Sequence, residues 1–306
     1  MEKLTGLIAA PYTPMHPDGS IHSGIIPDMV QHLQKEEVAG VFICGTTGEG
    51  ASLTVDERML LAEQWVANAG DELVVIVHVG HNSVYEARKL AEHAQSIQAH
   101  SIAALAPSFF KPASIDSLVS YCASVAEAAP ALPFFYYHIP SITGLNLAVP
   151  EFLHAGSKHI PTLSGVKFSA SDLMQFHRCT TMESGRYTMF FGSDEMLLGA
   201  LAMGAEAAVG STYNYAAQNS AGMMEAFKKG DMETAQRFAD HAVALVEVLL
   251  KHGVIQAGKA IMAMRGIDCG EVRLPLMPLS AEQKKSLYED VRALAIFKNV
   301  DLERPS

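Results

Sequence analysis

Eight times in succession a short apolar run gives way to a segment with helical period, and this alternation is the strongest constraint on what the chain can fold into. The runs are Leu4–Ala10, Gly40–Cys44, Leu73–Val79, Ile102–Ala106, Phe134–Ile139, Ser164–Phe168, Thr188–Phe191 and Ala207–Ser211. They are short, rich in β-branched and aromatic residues, and bounded by Gly, Pro or Ser, as strands buried on both faces are. The segments between them carry helix start and stop signals. Thr54-Val-Asp-Glu57 reads as a capping box ahead of a helix that Gly70 closes, and Ser83, Ser114 and Ser171 each open another. Eight such units without a long interruption predict an α/β fold of the closed (β/α)8, or TIM, barrel type. After Asp231 no further strand is expected. Met232–His252, Ile255–Met264 and Ser280–Phe297 read as helices. The expected organisation is therefore a catalytic barrel over residues 1–230 and a helical region over 231–306 packed on it.

Composition narrows the functional class. Twenty-two basic residues against 33 acidic give a net charge of −11, which argues against a non-specific nucleic-acid binder and against attachment to an anionic membrane. With 49% apolar residues the chain is not of the disordered class. Cys44, Cys122, Cys179 and Cys269 form no C-x-x-C pair and are expected to be free thiols in a reducing compartment. The N-terminal apolar run meets Pro11 and Pro14, too soon for a signal peptide. The uncharged stretch 128–150 is broken by Pro130, Pro133, Pro140 and Pro150, so no spanning helix can run through it. A cytoplasmic protein is expected.

In a barrel of this type the chemistry gathers at the carboxyl ends of the strands. There the sequence places Gly45-Thr46-Thr47-Gly48-Glu49-Gly50, Tyr136-Tyr137-His138-Ile139-Pro140, Gly165-Val166-Lys167-Phe168-Ser169, Gly192-Ser193-Asp194-Glu195 and Gly210-Ser211-Thr212-Tyr213-Asn214. Lys167 stands inside an apolar strand. It is either a barrel lysine paired with a carboxylate or snorkelling to the rim, or an amine whose desolvation disfavours the ammonium and exposes a nucleophilic lone pair, suited to a Schiff base with a carbonyl. Thr46 and Thr47, in a Gly-rich turn, suit the carboxylate of a 2-oxo acid, or else form a plain strand–helix turn. Tyr137 suits a proton shuttle, or belongs to an aromatic belt with Phe134, Phe135 and Tyr136. Asp194 and Glu195 either complement a helix dipole or accept hydrogen bonds from substrate hydroxyls. Two patterns lead nowhere: Gly253-x4-Gly258-Lys259 lacks the Ser or Thr of a phosphate-binding loop and follows a helix, and His78-x-x-His81 lacks further metal ligands.

Taken together and in order, GTTGE, YYHIP, GVKFS, GSDE and GSTYNY resemble the N-acetylneuraminate lyase and dihydrodipicolinate synthase superfamily of Schiff-base pyruvate aldolases, over essentially the whole chain. Within it the chain is similar to the sialic-acid-cleaving branch, and most to the animal-type members. The resemblance implies reversible aldol cleavage of N-acetylneuraminate to N-acetylmannosamine and pyruvate, with no metal or organic cofactor, by a homotetramer. It implies that Lys167 forms the imine, that Tyr137 moves the proton at the C4 oxygen, and that Thr46 and Thr47 hold the carboxylate. Ser169, Gly192, Asp194, Glu195 and Ser211 would line the sugar chain. Two departures stand out. Ile142 occupies the place where the synthases carry an arginine for an acidic second substrate. Ser108-Phe109-Phe110-Lys111 has no hydroxyl where the family often has an interface tyrosine. Another pyruvate aldolase of the same fold, a catalytically idle sugar-acid sensor and, most remotely, a nucleotide-binding protein are the competing readings.

Overall fold

A computed structural model, describing residues 3–305, contains a closed barrel of eight parallel strands in sequence order. The strands are β1 (Gly6–Ala9), β2 (Gly40–Ile43), β3 (Val74–His78), β4 (Ser101–Leu105), β5 (Phe134–His138), β6 (Leu163–Phe168), β7 (Thr188–Phe191) and β8 (Ala207–Gly210), and β8 pairs with β1 to close the ring. Each lies within two residues of the run that predicts it. Alternate residues face opposite ways. Ile8, Phe42, Ile76, Ala103, Phe135, Phe190 and Val209 fill the barrel interior. Their neighbours Leu7, Val41, Val75, Ile102, Phe134, Val166, Met189 and Ala208 pack outward under the helices. Both faces are buried, which is why the strands read as uninterrupted apolar runs rather than as alternating ones.

The helices around the barrel are α1 (Ile26–Lys35), α2 (Val55–Ala69), α3 (Val84–Ser96), α4 (Ile115–Glu127), the single turn α5 (Pro140–Thr143), α6 (Val149–Gly156), α7 (Leu173–Thr181), α8 (Leu197–Ala202) and α9 (Ala217–Lys228). The capping box at Thr54 and Glu57 forms in both directions, and Ser83 and Ser114 cap as expected. One start shifts. Asp172, not Ser171, caps α7, its carboxylate accepting the Gln175 N–H at 2.9 Å. Two good capping residues stand side by side, and only the second reaches the third amide of the helix.

Beyond Gly230 the described chain forms the helices α10 (Met232–His252), α11 (Val254–Met264) and α12 (Ala281–Ala293), the last two joined by an irregular segment over 265–280, then a 3₁₀ turn at Ala295–Phe297. That last turn was expected to continue α12. Instead the helix stops at Ala293, where Leu294 turns extended, with ψ 139°. α10 packs on α9 and α8, and α11 and α12 pack on α10. All four cysteines are buried and free. Among the described residues no helix is long and apolar enough to cross a membrane.

Candidate active site

β5 and β6 lie side by side with Tyr137 opposite Lys167, one residue before the strands end. The interior-facing register brings both side chains to the same spot. Lys167 is only 5% exposed. Its Nζ lies 4.3 Å from the ring centre of Phe42 and 4.3 Å from that of Tyr137. Among the described residues it joins no ion pair, so the paired-lysine reading of the sequence does not describe it.

The Tyr137 hydroxyl is 3.2 Å from Thr46 Oγ1, which links the strand carrying the lysine's neighbour to the Gly-rich turn after β2. Phe42 and His78 stand edge-on to the Tyr137 ring, with centroids at 5.5 and 5.9 Å, and hold it in place. Thr46 and Thr47 are half-buried, at the mouth of the barrel. Their turn is tight. The Glu49 N–H donates to Thr46 O at 3.1 Å and the Gly50 N–H to Gly45 O at 3.0 Å, while Cys44 and Glu49 take left-handed backbone angles, φ 56° and 54°. Such a conformation in a non-glycine residue costs about 1–3 kcal/mol and persists only where the surroundings enforce it.

His78 was set aside in the sequence as half of an unsupported metal pattern, and it forms part of the wall. Its Nδ1 donates to Cys44 O at 3.0 Å, and its Nε2 accepts the Leu105 N–H at 3.3 Å. Burial, and then the Arg58 guanidinium, hold its pKa well below the ordinary imidazole value. The ring is a neutral spacer with both nitrogens engaged. His81, by contrast, accepts the Ser83 N–H at the start of α3. Among the described residues no group of three His, Cys, Asp or Glu side chains could hold a metal ion.

Across the mouth, Ser169 and Gly192 follow neighbouring strands. The Ser169 N–H donates to His138 O at 2.8 Å and the Gly192 N–H to Phe168 O at 2.9 Å. A Cβ on Gly192 would fall 2.1 Å from Ser169 Oγ, so a side chain there would displace the Ser169 hydroxyl. Asp194 and Glu195 begin a 3₁₀ turn before α8 and differ in role. Asp194 is buried. Its Oδ2 accepts the Thr212 N–H at 3.1 Å and the Thr212 hydroxyl at 2.6 Å. A Cβ on Gly210 would stand 1.9 Å from Asp194 Oδ1. Burial raises the Asp194 pKa, against the bonds from Thr212. Glu195 is half-buried, and burial, with a smaller push from Asp194, raises its pKa too. Ser211 is half-buried at the end of β8. The structure thus brings Lys167 against Tyr137 and Tyr137 against Thr46, and gathers Thr47, Ser169, Gly192, Glu195 and Ser211 at the same end of the barrel, where Asp194 is buried.

Several participants carried no clear signal in the sequence. Phe42 is one apolar residue in an apolar strand. Lys259 is the lysine of the defective phosphate-loop pattern, and its Nζ lies 3.1 Å from Glu49 Oε1, with both side chains almost fully buried. Arg273 holds Glu57, the capping-box acid of α2, at 2.9 and 2.7 Å.

The model of the dihydrodipicolinate synthetase family matches residues 3–294. The chain belongs to that family. Among curated members it is 42% identical over 307 residues to N-acetylneuraminate lyase of Pongo abelii, covering 99% of this chain and 96% of the other. It is 46% identical over 238 residues to N-acetylneuraminate lyase B of Xenopus laevis, covering 77% and 89%. Among solved structures, the family member N-acetylneuraminate lyase of Proteus mirabilis superposes with a TM-score of 0.94 at 42% identity, covering 96% of this chain and 100% of that one. The enzyme from Aliivibrio salmonicida does so with 0.94 at 44%, covering 97% and 98%. The animal lyases at 42–46% identity and these two bacterial ones at 42% and 44% are similar to the chain to a like degree, while the lyase of Mycoplasma synoviae is 26% identical. A dihydrodipicolinate synthase of Bacillus anthracis, at 23% identity and a TM-score of 0.90, shares the fold.

Proposed function

We propose that this protein is an N-acetylneuraminate lyase, cleaving the open-chain sugar acid reversibly to N-acetylmannosamine and pyruvate. The observation that carries the reading is the contact of Lys167 with Tyr137, itself hydrogen-bonded to Thr46, at the carboxyl end of the barrel. The free amine of Lys167 adds to the C2 carbonyl, the resulting hydroxyl takes up a proton from solvent and leaves as water, and a protonated imine results. The imine draws the electron pair of the C3–C4 bond toward nitrogen as the C4 hydroxyl gives up its proton, and an enamine and an aldehyde result. Protonation at C3 and hydrolysis then return the amine and release pyruvate. The chemistry calls on no metal or organic cofactor, because the iminium is itself the electron sink.

Tyr137 is the group we assign to the C4 proton, with Thr46 as its hydrogen-bonded neighbour. Phe109 and Phe110 project into solvent from a loop pinned by Asn82 and offer no hydroxyl to extend that relay. Thr46 and Thr47 are assigned to the keto-acid carboxylate. Ser169, Gly192, Glu195 and Ser211 are assigned to the polyhydroxyl chain, with Asp194 supporting that edge. Ile142, 60% exposed on α5, presents an apolar surface where an acidic second substrate would need a cation. We further assign residues 1–230 to the catalytic barrel and 231–306 to a helical region serving it. A cytoplasmic homotetramer fits the acidic composition, the free cysteines and the exposed aromatic pair Phe109–Phe110.

The test is direct. The protein is incubated with N-acetylneuraminate and pyruvate release is followed, and in parallel it is reduced with borohydride in the presence of pyruvate. Pyruvate release together with a mass adduct on Lys167 is expected. An adduct without cleavage of N-acetylneuraminate assigns the chain to another pyruvate aldolase, and an unmodified Lys167 removes the mechanism.

A further inference from the structure

Glu49 sits two residues after Thr47 and holds no group we assign to substrate, yet it is among the most completely buried acids of the chain. Its side chain is 1% exposed and that of Lys259 is 2% exposed, and the two charges stand 3.1 Å apart. Its other oxygen, Oε2, accepts the backbone N–H of Arg273 at 2.9 Å. Lys259 in turn donates to Glu271 O at 2.7 Å. Both anchors of Glu49 therefore come from the C-terminal helical region, Lys259 from α11 and Arg273 from the segment after it. From the same residue the chain runs back into the site: the Glu49 N–H donates to Thr46 O, and Thr46 Oγ1 contacts the Tyr137 hydroxyl.

We propose that Glu49 and Lys259 are positioning residues, through which the C-terminal helices fix the Thr46–Thr47 turn and with it the seat of the keto-acid carboxylate. The inference rests on the assignment of Thr46 and Thr47 to that carboxylate. A buried ion pair adds little net stability compared with apolar residues of the same volume, so stability alone does not account for it. What the pair supplies is direction. Glu49 adopts a left-handed backbone that its sequence does not favour, in the turn whose amides and hydroxyls must meet a planar anion. A misplacement of about 1 Å in such a seat can cost on the order of a hundredfold in rate.

The experiment uses the full chain with Glu49→Gln, Lys259→Met and the two combined. Glu49→Gln keeps the shape and the bond from Arg273. The double variant leaves no uncompensated charge, so it decides the matter if a single variant fails to fold. Two quantities are read: the pyruvate concentration that half-saturates borohydride trapping on Lys167, and the thermal midpoint. Half-saturation raised about tenfold or more in the double variant, with the maximal trapping rate within threefold of wild type, is the expected result. Half-saturation within twofold of wild type, whatever the thermal midpoint, makes the pair structural only and overturns the proposal. Thr47→Ala and Thr46→Ala serve as the separate arm. If neither changes half-saturation, the carboxylate assignment itself falls, and the positioning role falls with it for that different reason.

Discussion

Replacing Tyr137 by phenylalanine removes a single oxygen, and the structure separates what that oxygen does for stability from what it does for turnover. The ring stays packed edge-on against Phe42 and His78, and Lys167 keeps its contact with the ring face. The one bond lost is the 3.2 Å contact with Thr46. A hydrogen bond of this kind contributes about 0.5–1.5 kcal/mol, and Thr46 is half-buried, so water can replace the missing partner. Positioned acid–base assistance contributes about 10²–10⁴-fold, equivalent to about 3–5 kcal/mol of barrier. The two effects therefore differ by about 1 kcal/mol or more, and they are measurable on one sample. Urea unfolding gives the first. Pyruvate release, set against borohydride trapping on Lys167, gives the second. The expected outcome is a fold destabilised by no more than about 1.5 kcal/mol that still traps pyruvate but has lost at least a hundredfold in kcat. A kcat within fivefold of wild type would refute the proton role and leave Tyr137 as a packing residue.

Other consequences can be checked independently. Lys167→Arg abolishes both trapping and cleavage, because a guanidinium stays protonated and cannot add to a carbonyl; mass analysis after reduction reads it. His138 is buried with neither ring nitrogen partnered by protein among the described residues, and burial pushes its pKa down to about 4. Well above pH 6.5 the ring is neutral folded or unfolded, and its ionisation takes nothing from stability. As pH falls from about 6.5 to about 4 the unfolded chain takes up a proton that the folded one refuses, and stability drops by about 3 kcal/mol before levelling off. In His138→Phe the drop between pH 7 and 4 is smaller by about that amount, and parallel unfolding curves for the two proteins would contradict the account. Glu195→Ala lowers kcat/KM more for the nine-carbon substrate than for a keto acid lacking the terminal hydroxyls, by about 0.5–1.5 kcal/mol in the cycle, and equal losses would remove Glu195 from the sugar chain. With Ile142 in place of a cation, condensation of pyruvate with aspartate semialdehyde is expected to be absent, and a coupled assay with both aldehydes decides it.

The barrel was legible because its strands are apolar on both faces and several of its helix starts, those at Thr54, Ser83 and Ser114 among them, carry hydroxyl caps, so pattern and packing agree. Lys167 stood out for the opposite reason, as one charge inside an apolar strand, and Thr46 was singled out by the glycines around it. What the sequence hid was contact between distant segments. Lys259 is 210 residues from Glu49, and nothing local distinguishes a lysine buried against an acid from one at a helix surface. The G-x4-G-K spacing drew attention to Lys259 for a reason unrelated to its place in the fold. Asp194 and Glu195 illustrate the same limit. Adjacent acids look equivalent in one dimension, and only the approach of β8 shows that one is tied to Thr212 while the other is half-open to solvent. His78 and Phe42 were invisible as site residues because walls have no chemical signature.

The clasp between Asp194, Thr212 and Gly210 bears on how a barrel of this kind can be retuned. Asp194 is braced on one oxygen by Thr212 and on the other side leaves no room for any residue larger than glycine at 210. Any side chain at 210 has to be matched by a smaller residue at 194, so single substitutions of Gly210 are closed to drift and to simple mutagenesis. Glu195, next in the chain, is free of that bracing and partly open. On the assignment of Glu195 to the sugar chain proposed above, a search for variants accepting other acyl groups or chain lengths is best spent on Glu195 and its open neighbours. Diversity introduced at 210 is fruitful only when codon 194 is randomised with it.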